Sequence, residues 1–132
     1  MKNKCYTYFR IAGIFEPDEI THLLGIVPEK SHSIGALRPN GSRYDFAEWT
    51  CGRCDAYDIE LSQMMQKTIR GLRNKTDTLR QIKARFDVSM TIEVVPTLCP
   101  DDTAPVLAPS MDIMRFCVET GTELDIDLYF CE

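Results

Sequence analysis

The chain has 132 residues, 44% of them hydrophobic and 27% charged, with a formal net charge of −5. That suits one folded domain around one core and excludes a disordered chain, while the acid excess argues against a protein built to neutralise phosphates. No run of eighteen apolar residues marks a membrane span and the start at Met1-Lys2-Asn3-Lys4 is no secretory signal, so a cytoplasmic protein with reduced thiols is expected.

Tyr6 to Ala12 is rich in aromatic and β-branched residues and reads as a strand, with Phe9 and Ile11 on one face and Tyr8 and Arg10 on the other. Phe15 to Gly25 follows as a short helix. It has Pro17 at its first position, Asp18 and Glu19 in the first turn, Gly25 past its end, and Ile20, Leu23 and Leu24 spaced to meet a sheet. Asn40-Gly41 marks a hairpin turn between a weak strand near Ser31 to Leu37 and a firmer one from Tyr44 to Thr50, which holds Phe46 and Trp49. From Tyr57 to Phe86, Leu61, Met65, Thr68 or Ile69, Leu72, Leu79, Ile82 and Phe86 recur at helical spacing, with the methionines as core. Gly71 and Asn74 interrupt this run and Thr76-Asp77 can cap a second segment, so a helical hairpin or sharp kink is expected.

Val88, Met90, Ile92 and Val94 alternate with Ser89, Thr91, Glu93 and Val95, the clearest strand in the chain. After Pro96 a loop carries Pro100, Pro105 and Pro109. Met111 to Glu119 then reads as a helix buried through Ile113, Met114, Cys117 and Val118 and stopped by Gly121. Glu123 to Cys131 reads as a last strand with Leu124, Ile126, Leu128 and Phe130 inward. The expected fold is a single α+β domain over residues 1–132. It consists of a mainly antiparallel four- or five-stranded sheet with helices packed on one face, a variant of the ferredoxin-like arrangement.

The segment Phe15-x-Pro17-Asp18-Glu19-Ile20-Thr21-x-Leu23-Leu24-Gly25-Ile26-x-Pro28-x-Lys30, with Gly121-Thr122-x-Leu124-Asp125-Ile126-Asp127 and landmarks at Arg43-Tyr44 and Trp49, resembles a bacterial family catalogued as a domain of unknown function, number 4279. The resemblance spans nearly the whole chain. It implies a bacterial or phage source and supports one-domain integrity, but brings no activity, cofactor or catalytic residue to carry over.

Cys51-Gly52-Arg53-Cys54 follows a predicted strand and precedes a predicted helix, a context in which a helix N-terminus and Arg53 would depress a thiol pKa. With Val95-Pro96-Thr97 it resembles the thioredoxin active-site arrangement, although here Cys99-Pro100-Asp101-Asp102 leads into loop where that family continues a strand. Two thiolates at this spacing also make half a zinc site, whose completion would need Cys99, Cys5, Cys131, His22 or His32. Against both stands packing: free cysteine behaves as a small apolar residue, and Cys117 falls on a helix stripe. His32, between Ser31 and Ser33, reads as loop hydrogen bonding and not as a triad member.

If the last strand pairs near the Val88 strand, Glu93, Asp125 and Asp127 share the face opposite the buried one, where solubility is the first explanation and general acid-base chemistry, a divalent cation or a basic partner the alternatives. Lys67, Arg70, Arg73, Lys75, Arg80, Lys83 and Arg85 form a basic stretch with Asp77 as its only acid, giving the molecule opposed charged regions that suit a partner or self-association. No cofactor and no metal is expected. The primary expectation is a non-enzymatic binding or regulatory module for a protein partner, including an inhibitor or immunity role, with Arg10, Trp49, Glu93, Asp125 and Asp127 as its candidate interaction face. The alternative is a small thiol-disulfide oxidoreductase using Cys51 as nucleophile and Cys54 as resolving thiol.

Overall fold

Alternation of apolar side chains, not any single motif, organises this chain. The structure is a computed structural model describing residues 1–132. Its elements are β1 (Lys4–Ile14), α1 (Pro17–Leu24), β2 (Lys30–His32), β3 (Ala47–Ala56), α2 (Leu61–Thr68), α3 (Thr76–Arg85), β4 (Asp87–Leu98), α4 (Met111–Thr120), β5 (Thr122–Ile126) and β6 (Tyr129–Phe130). The strands form one open sheet in the order β2-β3-β1-β4-β5, with β6 also on β4. β1 is antiparallel to β3 and β4, whereas β5 and β6 run parallel to β4. This is the expected mostly antiparallel α+β class. β1 and β3, although joined through a helix, are direct antiparallel neighbours, so the sheet varies from a split βαβ unit.

One face of the sheet turns Phe9, Ile11, Trp49, Met90, Ile92 and Val94 into a core that the helices close. α1 begins at Pro17 and ends on Gly25 in the left-handed conformation, whose N–H donates to the Thr21 carbonyl at 2.8 Å. It buries Ile20 and Leu24 but leaves Leu23 37% exposed, so the expected three-residue stripe narrows to two. The helical run breaks as expected, with α2 and α3 separated by a 3₁₀ turn at Arg70–Leu72. Met64 and Met65 are core residues. In α4 the phase differs from expectation: Ile113, Phe116 and Thr120 are buried, while Met114 and Val118 face outward. The bulky Phe116 ring sets the helix rotation, because burying it removes more apolar surface than burying Val118 would. Cys117 is half-buried against the core.

Two stretches of sheet differ more. β3 runs through Cys51-Gly52-Arg53-Cys54 to Ala56 instead of ending at Thr50. Its register shifts between Thr7 and Phe9 of β1, a bulge at Gly52 (φ 73°) that absorbs one residue and twists the strand. A Cβ there would stand 2.2 Å from the Thr68 carbonyl oxygen, so the bulge touches the end of α2 where only glycine fits. The second difference is at the C-terminal edge. β4 continues through Pro96 to Leu98, and the expected last strand is interrupted into β5 and β6. The Val94 and Leu98 carbonyls accept from the Asp127 and Cys131 N–H groups, so even-numbered residues of β4 face this edge. Pro96 faces it too and has no N–H to give, and the break at residues 127–128 falls beside it. The expected inward row fails as a result: Leu124 is half-buried, while Ile126, Leu128 and Phe130 are 40%, 41% and 69% exposed.

The expectation of six free thiols is also corrected. The register of Leu98 with Phe130 brings Cys99 beside Cys131, and the two form a disulfide with Cα atoms 4.9 Å apart. Near it, buried Asn3 accepts from the Cys99 N–H at 2.6 Å and donates through Nδ2 to the Thr103 carbonyl at 2.8 Å. Asn3→Ala leaves both groups without their partner, so the unfolding free energy should fall by about 1–3 kcal/mol in urea denaturation. A loss under about 0.5 kcal/mol would mean that solvent replaces both bonds.

Candidate functional site

No element covers the second face of the sheet. β1 turns Tyr6, Tyr8 and Arg10 onto it, β3 adds Glu48, Thr50, Arg53 and Asp55, and β4 and β5 add Thr91, Glu93, Glu123 and Asp125. The Tyr6 and Tyr8 rings stack along the strand with centroids 6.1 Å apart. The β3 bulge lifts Arg53 so that its guanidinium lies 3.9 Å over the Tyr6 ring while making two 3.1 Å bonds to Asp55. That fork holds the Asp55 carboxyl below its usual range. Tyr6 and Arg53 form a shared wall between two shallow grooves of about 340 and 180 Å³. One extends toward Lys4, Tyr57 and Thr97, the other toward Tyr8, Lys30 and Glu48.

At the far end of β1, Arg10 pairs with Glu48 and sits 5.7 Å over the Phe46 ring. His32 stacks on Tyr44 at 3.7 Å, and the Arg38 guanidinium lies 4.4 Å from the same ring. His32 is thus part of an aromatic and cation cluster and has no serine hydroxyl or carboxylate partner. Its one polar contact is a 3.4 Å approach to the Ser33 carbonyl.

The β4–β5 side is different. Glu93 and Asp125 are register partners in parallel strands and share this face. Glu93 is only 8% exposed, and its Oε1 accepts from the Thr91 hydroxyl at 3.0 Å. Burial first, and then the neighbouring Asp125 carboxyl, push Glu93 up to about 7. Near neutral pH Glu93 is therefore partly protonated. Burial followed by the negative charges of Glu93 and Glu48 raises the Tyr8 hydroxyl as well. None of Glu93, Glu123, Asp125 and Asp127 takes part in an ion pair, whereas the cations Arg10 and Arg53 are already matched. The carboxylates left over make this half of the face acidic. The basic residues of α2 and α3 lie on the helix layer, on the other side of the sheet.

Of the residues singled out in the sequence, Arg10, Glu93 and Asp125 do come together on the uncovered face. Asp127 follows β5, where its carboxylate accepts from the Tyr129 hydroxyl at 3.0 Å. Trp49 is a correction: it is fully buried on the helix side, because it is the register partner of inward-facing Ile11. Tyr6, Arg53 and Asp55 escape sequence reasoning. Period-two counting from Tyr8 reaches Tyr6, but Arg53 and Asp55 are hidden by the bulge.

Cys51 and Cys54 lie within β3 and not at a helix N-terminus. The bulge turns both toward the helix layer, as their register partners Phe9 and Thr7 are, and burial raises the Cys51 thiol to about 12. Cys5, also buried, is raised to about 11. These are the protonated thiols of packing residues, the reverse of an activated nucleophile. Nor does the chain group three His, Cys, Asp or Glu side chains to hold a metal ion; Cys99 and Cys131, two of the ligands that could complete a zinc site, are bonded to each other. What the face offers instead is surface: stacked tyrosines, fixed cations and an unmatched acidic strip. No helix is long and apolar enough to cross a membrane.

A family model described as Domain of unknown function (DUF4279) matches residues 3–131. No significant match is found among curated proteins or solved structures.

Proposed function

The chain belongs to the DUF4279 family, and from that premise we propose that it is a non-enzymatic binding module that meets a protein partner on the uncovered face of its sheet. One observation supports this reading above the rest. All the helices cover a single face, and the other presents Tyr6, Tyr8 and Arg53 as an ordered aromatic and cationic centre between two grooves, with no nucleophile and base converging on either. Tyrosine and arginine held by neighbours lose little conformational freedom on binding and dominate the energetics of protein interfaces.

Photo-crosslinking tests it. A crosslinking phenylalanine derivative in place of Tyr8 should capture a saturable partner from source-cell lysate, competed by unlabelled chain. The same derivative in place of Arg80, on the helix layer, should not. Tyr6→Ala should weaken the competition by about tenfold or more. Capture from the Arg80 position alone, or from neither, overturns the reading.

A further inference from the structure

We infer that the β5 edge takes an extended, lysine- or arginine-rich segment of another protein as an added strand. This inference rests on the reading of the sheet face as the binding surface, and names the chemistry of what binds beside it.

β5 is the last strand of the sheet on its side, and no strand pairs with its outer edge. Because the Asp127 N–H reaches inward to the Val94 carbonyl, odd-numbered residues of β5 face β4. The main-chain groups of Leu124 and Ile126 therefore point outward. Open edges of this kind are usually blunted by a lysine, a proline or a covering segment. Here Thr122 to Ile126 has no lysine and no proline, and its only charged side chains are the carboxylates of Glu123 and Asp125. Next to the edge stand Glu93, Glu123, Asp125 and Asp127, none matched by a cation, and the strip continues into exposed Leu128, Tyr129 and Phe130. An incoming strand finds hydrogen-bonding groups at the edge, negative charge along one half and apolar surface along the other.

Charge decides what the strand is. A second copy pairing through β5 would set Glu123 and Asp125 of one chain close to the same carboxylates of the other, and like charges facing each other across strands destabilise the pair. A basic strand places cations beside those carboxylates.

The test is fluorescence anisotropy on the full chain with a labelled ten-residue peptide alternating lysine and threonine, and with its glutamate counterpart as control. The lysine peptide should bind and the glutamate peptide should not. Raising the salt from about 50 to about 500 mM should weaken binding by about tenfold or more, and so should Asp125→Lys or Glu123→Lys. Asp77→Lys, on the helix layer, should leave it unchanged. Two peptides methylated on alternate sets of amide nitrogens separate strand addition from simple charge attraction, because only one set can donate to the edge. One should lose binding, and retention by both overturns the inference. So does equal binding of the glutamate peptide, or self-association that Asp125→Lys abolishes in a chain that binds neither peptide. If crosslinking at Tyr8 captures a partner and Asp125→Lys leaves that capture unchanged, the edge inference falls while the face reading stands. With peptide binding at the edge and no capture at Tyr8, the edge inference stands and the face reading falls.

Discussion

Trp49→Ala should lower the unfolding free energy by about 3–5 kcal/mol, the usual loss for a large aromatic side chain removed from a close-packed core. Trp49 is fully buried and is the register partner of Ile11 and Ser31, so its ring lies where β1, β2 and β3 come together under α1. Its indole N–H donates to the Thr21 hydroxyl of α1 at 3.0 Å, which ties the helix to the sheet as well as filling the space between them. Trp49→Phe keeps most of the apolar volume but drops that bond, and should cost about 1–2 kcal/mol. Guanidinium denaturation followed by circular dichroism measures both variants without depending on the lost tryptophan signal. A loss below about 1 kcal/mol for the alanine variant would mean that the ring lies in solvent. The Phe variant should remain folded and retain the crosslinking proposed for Tyr8, since Tyr6, Tyr8 and Arg53 sit on the other face.

Trp49 also shows how far the sequence can be read. Simple alternation reveals which residues of β1 and β4 share a face, and it places Arg10 and Glu93 on the side away from the core. Pro17 and Gly25 likewise delimit α1 by local backbone chemistry alone. Reading fails where a long-range contact overrides the local pattern. β3 passes through the two cysteines because a glycine bulge against the Thr68 carbonyl keeps the strand going, and nothing local to residues 51–54 announces that contact. The break between β5 and β6 depends on Pro96, thirty-odd residues away and facing that edge. The disulfide follows from the same pairing, since the spacing of Cys99 and Cys131 means nothing until β6 lies along β4. Parity can put Glu93 and Asp125 on one face, but the proton that Glu93 keeps to higher pH depends on burial and on parallel pairing, neither of which is local.

That proton leads to the second large effect: Glu93→Gln should make the protein more stable at pH 8, not less. In the unfolded chain a glutamate titrates near about 4.3, whereas in the folded protein burial and then Asp125 raise Glu93 to about 7. Between those values the folded state holds more protons than the unfolded one, so stability falls as pH rises through the window and levels off above 7. Below about 4 both states are protonated and the cost vanishes. The full shift corresponds to about 4 kcal/mol, and screening by solvent at the uncovered face reduces this to about 1–2. Glutamine keeps an acceptor for the Thr91 hydroxyl and adds donors toward Asp125, with no charge to bury. The groups facing this position are Thr91, Asp125, Tyr8 and Arg10. The Thr91 hydroxyl, donating to Glu93, and then Arg10 favour the ionised form, and Arg10 is already engaged by Glu48. Thermal or urea unfolding from pH 4 to 8 should therefore show a decline in the natural chain that is shallower in Glu93→Gln, with the two curves meeting near pH 4. Parallel curves would mean that Glu93 ionises without penalty. The same cost is relieved when a cation arrives from outside. At pH 8 the lysine-threonine peptide should thus raise the melting temperature of the natural chain more than that of Glu93→Gln, the result expected if the proposed basic strand relieves the cost of that charge.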